Sequence, residues 1–407
     1  MRVYKPSGIE WLGEIPQSWK NVSIRSCFTE SNQRCNTDSY PLLSVTIANG
    51  IIYQDDIENK KDISNDDKSN YKIVPLNAVA YNKMRMWQGA VGVNTLTIGI
   101  VSPAYIVAIP NEKILPNFVS YLFKSKIMIG EFDKNSYGLC LDMNNLRYDD
   151  FRNIKIPLPP LQEQKEIAEF LDKKCEKIQN YINKKQKLIT LLQEKKQALI
   201  NEVVTKGLNP NIEFKNSEIA YLGLIPHHWE VRRMKFMASI HNGREQTEIA
   251  DENGIYPIYG SGGILGKSMY FIYDKPSVLL GRKGTIDKPL FVEEPFWTID
   301  TMFYTSVSKI VLPKYFYYLC LTIDFQFYIS GSAIPSMTQY DLANISFALP
   351  PLQEQKQIAN FLDEKCEKIN SAIEKTKKQI ELVKEYKNTF INEAVCGRIN
   401  LQKKERI

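Results

Sequence analysis

The 407-residue chain has no run of eighteen apolar residues, no Cys-x-x-Cys pair and only three histidines. Without such a run, no segment is expected to cross a membrane as a helix. Unpaired cysteines and scarce histidine argue against a zinc site, and no other metal site is expected. The opening MRVYKPSG lacks the apolar core of a signal peptide, so a cytoplasmic location is expected. Catalytic signatures are missing as well. GSGGILGKS (260–268) carries Ser261 where a phosphate-binding loop requires glycine, and the following MYFIYDKP is not its helix. There is no Asn/Asp-Pro-Pro-aromatic motif to hold a target adenine, because the two Pro-Pro pairs precede Leu161 and Leu352. No Pro-Asp…Asp/Glu-x-Lys nuclease set occurs. Asp55–Asp56, Asp66–Asp67 and Asp149–Asp150 read as solvated turns, and His227, His228 and His241 have no partner at ligand spacing. No catalytic residue is assigned.

What the chain does have is itself, twice. PPLQEQKEIAEFLDKKCEKIQ (159–179) returns as PPLQEQKQIANFLDEKCEKIN (350–370), and weaker similarity continues to INEVV (200–204) and INEAV (391–395). A shorter repeat heads each half, where WLGEIPQSW (11–19) returns as YLGLIPHHW (221–229). The order is therefore head, variable region, long helix, then the same again. At 43% hydrophobic content the chain can build real cores, and its length calls for two to four domains. The net charge of +6 permits a polyanionic partner without requiring one.

Apolar residues in the long repeats alternate in steps of three and four. In the first they are Leu171, Cys175, Ile178, Ile182, Ile189, Leu192, Leu199 and Val203, with Lys185 and Lys196 filling two slots. In the second they are Leu362, Cys366, Ile369, Ile373, Ile380, Val383, Phe390 and Ala394. That spacing predicts coiled-coil helices, each the most economical partner for the other's apolar stripe. Cys175 and Cys366 then read as small buried thiols. A globular segment of about 140 residues between the helices favours an antiparallel pair; packing of each helix on its own domain is the alternative.

The variable regions read as β-rich. YPLLSVTIANGIIY (40–53), TLTIGIVSPAYIVAIP (95–110), IYPIYG (255–260), SVLLGRKGTI (277–286) and FWTIDTMFYTSV (296–307) are rich in β-branched and aromatic residues and broken by Gly or Pro. Short helices are expected at NFVSYLFKS (117–125) and KYFYYLCLT (314–322). The exits resemble each other, GLCLDMNNLRYDDFRNIKIPLPP (138–160) against GSAIPSMTQYDLANISFALPP (331–351). Trp87, Tyr259 and Tyr270 read as core aromatics. The fold class expected is α+β, with two β-rich domains separated by two long antiparallel coiled-coil helices and an internal pseudo-twofold repeat.

On these motifs the chain resembles the specificity (S) subunit of type I restriction–modification enzymes over nearly its whole length. PLPPLQEQKEIAEFLD (157–172), ALPPLQEQKQIANFLD (348–363), GRKGTIDKP (281–289) and IYGSGGILG (258–266) carry the resemblance. It implies target recognition domains at 1–157 and 208–348, helical spacers at 158–207 and 349–400, and a tail at 401–407. It implies a non-catalytic chain that binds double-stranded DNA, docks two methyltransferase (M) subunits and recruits restriction/translocase (R) subunits. No cofactor is expected on this chain; S-adenosylmethionine, ATP and magnesium would belong to the partners. A protein-binding coiled-coil scaffold without DNA contact is the alternative, and a DNA-dependent enzyme with an unrecognised site comes third.

Reading DNA requires donors and acceptors at base edges and cations at phosphates. Lys83, Arg85 and Gln88 in AYNKMRMWQGAVG, then Lys134, Asn135 and Tyr137 in FDKNSYG, are the candidates in the first domain. In the second they are Lys267, after a glycine-rich stretch, with Arg282, Lys283 and Lys288 in LLGRKGTIDKP.

Overall fold

A computed structural model describes residues 2–35, 40–57, 68–138, 144–328 and 335–401. Asp66–Asp67, parts of both domain exits and all of the 401–407 tail except Leu401 lie outside the described residues. The chain forms two compact units, one of residues 1–185 with 378–407, the other of residues 186–377.

In the first unit, a four-stranded antiparallel sheet is built from β1 (Phe28–Ser31), β2 (Val79–Asn82), β3 (Val91–Val93) and β4 (Tyr105–Pro110), in the order β1-β4-β2-β3. Helix α1 (Pro116–Lys124) turns Phe118, Val119, Leu122 and Phe123 onto it, with proline in its first turn where a missing N–H costs nothing. Helix α2 (Leu161–Lys206) begins directly after the first Pro-Pro pair. The core joins Trp19, Phe28, Tyr81, Phe132 and Phe151 to Ile167 and Leu171 of α2, each large side chain contributing about 2 kcal/mol by burial.

The second unit repeats this plan. Strands β5 (Ala238–Asn242), β6 (Ser277–Gly281), β7 (Leu290–Val292) and β8 (Met302–Val307) pair as β5-β8-β6-β7, again antiparallel. Helix α3 (Pro313–Cys320) covers them, and helix α4 (Leu352–Val395) follows the second Pro-Pro pair. In both units the strand after the head pairs with the strand leading into the long helix, Lys20–Ser23 with Lys155–Leu158 and Glu230–Arg233 with Ser346–Leu349.

Helices α2 and α4 pack together, antiparallel. In the first unit Phe170 meets Phe390, ring centroids 5.4 Å apart, and Leu171 shares a core with Ala394. In the second, the Lys196 ammonium donates to Asn370 Oδ1 at 3.0 Å, and Ile200 shares a core with Leu362 and Cys366. Leu171, Ile189, Leu362, Cys366, Ile373 and Ile380 are buried, while Cys175, Ile178, Ile182, Leu192, Ile369 and Val383 are half-buried. At about 1.5 Å per residue the 46 residues of α2 extend roughly 69 Å.

The repeated signature earns its place by hydrogen bonding. The Trp19 indole N–H donates to Glu163 Oε2 at 2.8 Å, and Trp229 to Glu354 Oε2 at 3.0 Å. Buried Gln164 accepts from the Leu115 N–H at 2.7 Å and donates to Lys113 O and Pro159 O; Gln355 accepts from Leu312 at 2.8 Å and donates to Ile310 O and Pro350 O. The Tyr121 hydroxyl donates to Asp172 Oδ1 and that of Tyr318 to Asp363 Oδ1, both at 2.6 Å. Each β-rich domain is thus fastened to its long helix at three points. The second partner of the carboxylate differs, being Arg2 for Glu163 and His228 for Glu354.

One sequence expectation is corrected. Tyr270 is 64% exposed rather than core, and it stands with exposed Ile264, Leu265 and Met269 on the hairpin Tyr256–Gly260/Gly263–Ser268 and its continuation. These side chains have nothing among the described residues to cover them, so β-propensity there does not mean burial. Trp87 and Tyr259 are half-buried.

Candidate nucleic-acid interface

The two sheets have the same strand order, so the loop after their third-placed strand occupies the same place in each frame. In the first unit this is 83–90, after β2; in the second it is 282–289, after β6. Both loops carry the cations singled out from sequence, and both are clipped to the domain exit by the same bond. The Leu146 N–H donates to Lys83 O, and the Met337 N–H to Arg282 O, each at 2.9 Å. Leu146 and Met337 are matched positions of the two similar exits.

In the first loop, backbone bonds fold residues 85–90 into a tight turn that ends at Gly89, φ +89°. Asn82 Oδ1 accepts the Met84 N–H at 3.0 Å, and the Trp87 indole donates to Met84 O at 3.0 Å. Arg85 and Gln88 are exposed and Lys83 is half-buried. The anchor comes from α1, where the Lys124 ammonium donates to Gly89 O at 3.0 Å and to Thr46 O and Ile47 O of the neighbouring hairpin turn at 3.3 and 2.6 Å. Burial lowers that ammonium to about 8. Lys124 went unnoticed in the sequence, although it is the one charged residue of the apolar segment NFVSYLFKS.

Beside this loop lie two further cations. Arg34 donates to Asn70 O and Oδ1 at 3.1 and 3.0 Å, and buried Lys72 sits 3.9 Å from Glu30. Burial lowers the Lys72 pKa, the Glu30 carboxylate raises it, and the positive charges of Arg34 and Lys83 lower it further. Arg34, Lys72 and Lys83 therefore form one electrostatic neighbourhood, legible in sequence only as scattered basic residues. Lys134 is elsewhere engaged, paired with Glu131 at 2.9 Å within its own helix. Asn135 caps that helix by donating to Glu131 O, and Tyr137 is exposed where its backbone pairs with Asn145.

In the second unit, Arg282 and Lys283 line a cavity of about 360 Å³ together with Asn242, Phe303, Thr338 and Gln339. Arg282 is half-buried, donates to Asp300 O at 3.2 Å and lies 5.9 Å over the Phe303 ring. Lys283 lies 3.9 Å from Asp300 Oδ2. Asn242 and Gln339, unremarked in the sequence, supply amide groups with both donor and acceptor capacity. Lys267 and Lys288 are exposed, but neither lines this cavity. Hydrogen-bonding side chains around a cationic recess can read base edges, and cations on an exposed turn can hold phosphates.

Among the described residues no group of three or more His, Cys, Asp or Glu side chains converges as a metal site, and no helix is long and apolar enough to cross a membrane. His241 is occupied by Ser306 at 2.8 Å and stacks on Tyr304.

A family model described as the type I restriction modification DNA specificity domain matches residues 19–193 and 226–382. The chain is 25% identical, across 96% of each sequence, to the putative type I restriction enzyme MjaX specificity subunit of Methanocaldococcus jannaschii. It is 29% identical to the MjaVIII specificity subunit of the same organism, over 62% of this chain and 64% of that one. In structure it is similar to a chain solved in work on complex assembly and conformational transition of the type I R-M system. The TM-score is 0.72 at 15% identity, covering 95% of this chain and 99% of that one. The HsdS subunit from Thermoanaerobacter tengcongensis follows, with a TM-score of 0.51 at 16% identity and 95% and 98% coverage. At these identities the two structures speak for the fold alone.

Proposed function

The chain belongs to the type I restriction–modification DNA specificity family, and from that premise we propose how its two halves divide the work. It is a sequence-specific DNA-binding subunit without a catalytic site of its own. In the proposal, residues 1–157 and 208–348 are target recognition domains. Each reads one half of an asymmetric, bipartite duplex site, and the helices between them set the unread gap.

The observation that carries this reading is the pair of basic loops, 83–90 and 282–289, offered from the same place on two sheets of identical strand order with dissimilar sequences. One frame with different loops suits two readers of different half-sites. Arg85 and Gln88 read bases in the first half with Lys83 near phosphate, while Arg282 and Lys283, with Asn242 and Gln339, read the second. Lys267 and Tyr137 lie outside these two loops and Lys288 lies near the end of the second, away from the cavity; these three take backbone contacts, whereas Lys134 and Asn135 bond within their own helix.

The partners follow from the repeat. Leu191 and Leu382, matched positions of the long helices, are 50% and 64% exposed, and an apolar residue at equivalent sites suits docking of two copies of one methyltransferase subunit. S-adenosylmethionine would be held by those subunits, and ATP with magnesium by restriction/translocase subunits. The test is to express the chain with its methyltransferase and map methylated sites on a randomised duplex library. A split motif with a fixed gap is the expected result, and methylation without sequence preference by an assembled complex would overturn the proposal.

A further inference from the structure

The signature segments that open α2 and α4 raise a question that family membership does not answer: what their repeated polar residues do in a helix whose seam is apolar. Apolar contact is non-directional, so a domain resting on a helix by burial alone can rock and slide. Hydrogen bonds with distances near 2.6–3.0 Å are directional and resist both. In the second unit Trp229 and Glu354, Gln355 and the loop before α3, and Tyr318 and Asp363 meet at 3.0, 2.8 and 2.6 Å, and the first unit repeats all three contacts. The three fastenings do not lie on a single point of attachment. One grips the head and one the loop Ile310–Leu312, both from the first turn of α4, and one grips the helix α3 itself from Asp363, about two turns further on.

The demand on such a mount can be stated. Neighbouring base pairs differ by about 3.4 Å of rise and about 34° of twist. A reading domain that shifts along or around its helix by half of that presents its loop to the wrong base pair. We propose that the repeated Trp–Glu, Gln–backbone and Tyr–Asp contacts are positioning residues that lock each reading domain onto its long helix and thereby set the gap length the chain accepts. This rests on the two-reader assignment above. It adds that gap selectivity is stored in these mounts as well as in helix length, while half-site sequence is stored in the loops.

The experiment uses the full chain copurified with its methyltransferase. The probes are duplexes carrying both wild-type half-sites at the native gap and at gaps one and two base pairs shorter or longer. In Trp229→Phe/Tyr318→Phe, which removes one N–H and one O–H and keeps both rings, the preference for the native gap over its neighbours is expected to fall about tenfold. The base preference within each half-site should hold. Tyr318→Phe alone should give a smaller loosening, and it decides the matter if the double variant does not fold. Glu354→Gln, which retains an acceptor for the Trp229 indole, should restore most of the gap preference lost in Glu354→Ala. Unchanged gap preference in the folded Phe variants would overturn the proposal, as would loss of half-site sequence preference in parallel with the gap. A wild-type chain with no gap preference would instead sink the two-reader assignment.

Discussion

The two candidate recognition loops sit in the same place on the same kind of sheet, yet beyond the bond that each makes to its domain exit they are held by opposite means. In the first unit the anchor is external, since Lys124 of α1 grips Gly89 O and leaves Arg85 and Gln88 exposed. In the second unit α3 ends at Cys320, and the position matched to Lys124 is Leu321, which has no ammonium to reach across. The loop is held by its own cations on Asp300 instead, and by close folding over the end of β6. The lesson is that a shared frame fixes where a loop stands but not which residues are spare to read with. A cation that tethers its own loop is partly spent, whereas one that is tethered by proxy is available.

The largest test of this difference is Gly281→Ala. A Cβ there would lie 2.4 Å from Thr285 O and 2.5 Å from Ile286 Cα, both parts of the main chain that cannot swing aside. Destabilisation of about 3 kcal/mol is expected in denaturant titration. The matched strand end in the first unit, Asn82, already carries a side chain that caps its loop, so the two loops are not interchangeable.

Lys124→Met should come next, costing roughly 2 kcal/mol through three abandoned carbonyls. It should erase selectivity for the first half-site in a binding selection while sparing the second. Equal damage to both half-sites would break the comparison. Arg85→Ala and Arg282→Ala then separate reading from holding. The first should lower discrimination at one base pair about tenfold with stability changed by under about 0.5 kcal/mol. The second should lower discrimination and also cost about 1 kcal/mol of stability, because its bond to Asp300 O is lost.

The smallest effect is one of pH. Folding lowers the Lys124 ammonium from its usual 10.5 to about 8. Between these values the unfolded chain binds more protons, so the Lys124 contribution to stability rises as pH climbs from 8 toward 10.5 and is flat below 8. The difference in denaturation midpoint between wild type and Lys124→Met, followed across that window, reads it directly.

The plan of the molecule was legible because it is written in periods. Steps of three and four along 171–203 and 362–394 mark the helices, runs rich in β-branched and aromatic residues mark the strands, and the internal repeat gives two halves of one plan. The proposed reading surface was legible only as clusters. Arg282 and Lys283 are neighbours in sequence and remain so in space, but Asn242 and Gln339 join them from 40 and 56 residues away, and no local pattern announces that. Lys124 reaches a loop 35 residues distant. The reading of Tyr270 as core failed because strand propensity says what can form a pleat, not which face will be covered. The mounts at Gln164 and Gln355 had a signal that was available, since a glutamine kept at matched positions inside an otherwise charged helical surface invites the question of what it touches.

The first unit is stitched from residues 1–185 and 378–407, while the second is one continuous stretch. Ala394, Val395 and Cys396 share the core of Trp19, and Gly397, φ +75°, lets the chain turn beneath that ring, with its Cα hydrogen side facing Pro16. On the ribosome this inverts the order of birth. The domain made first waits for roughly 200 residues of further synthesis before its last core residues exist, on the order of 10–40 s at ordinary elongation rates. During that interval Ile167 and Leu171 have no Ala394 or Val395 to meet. The half that emerges second is the one able to finish first.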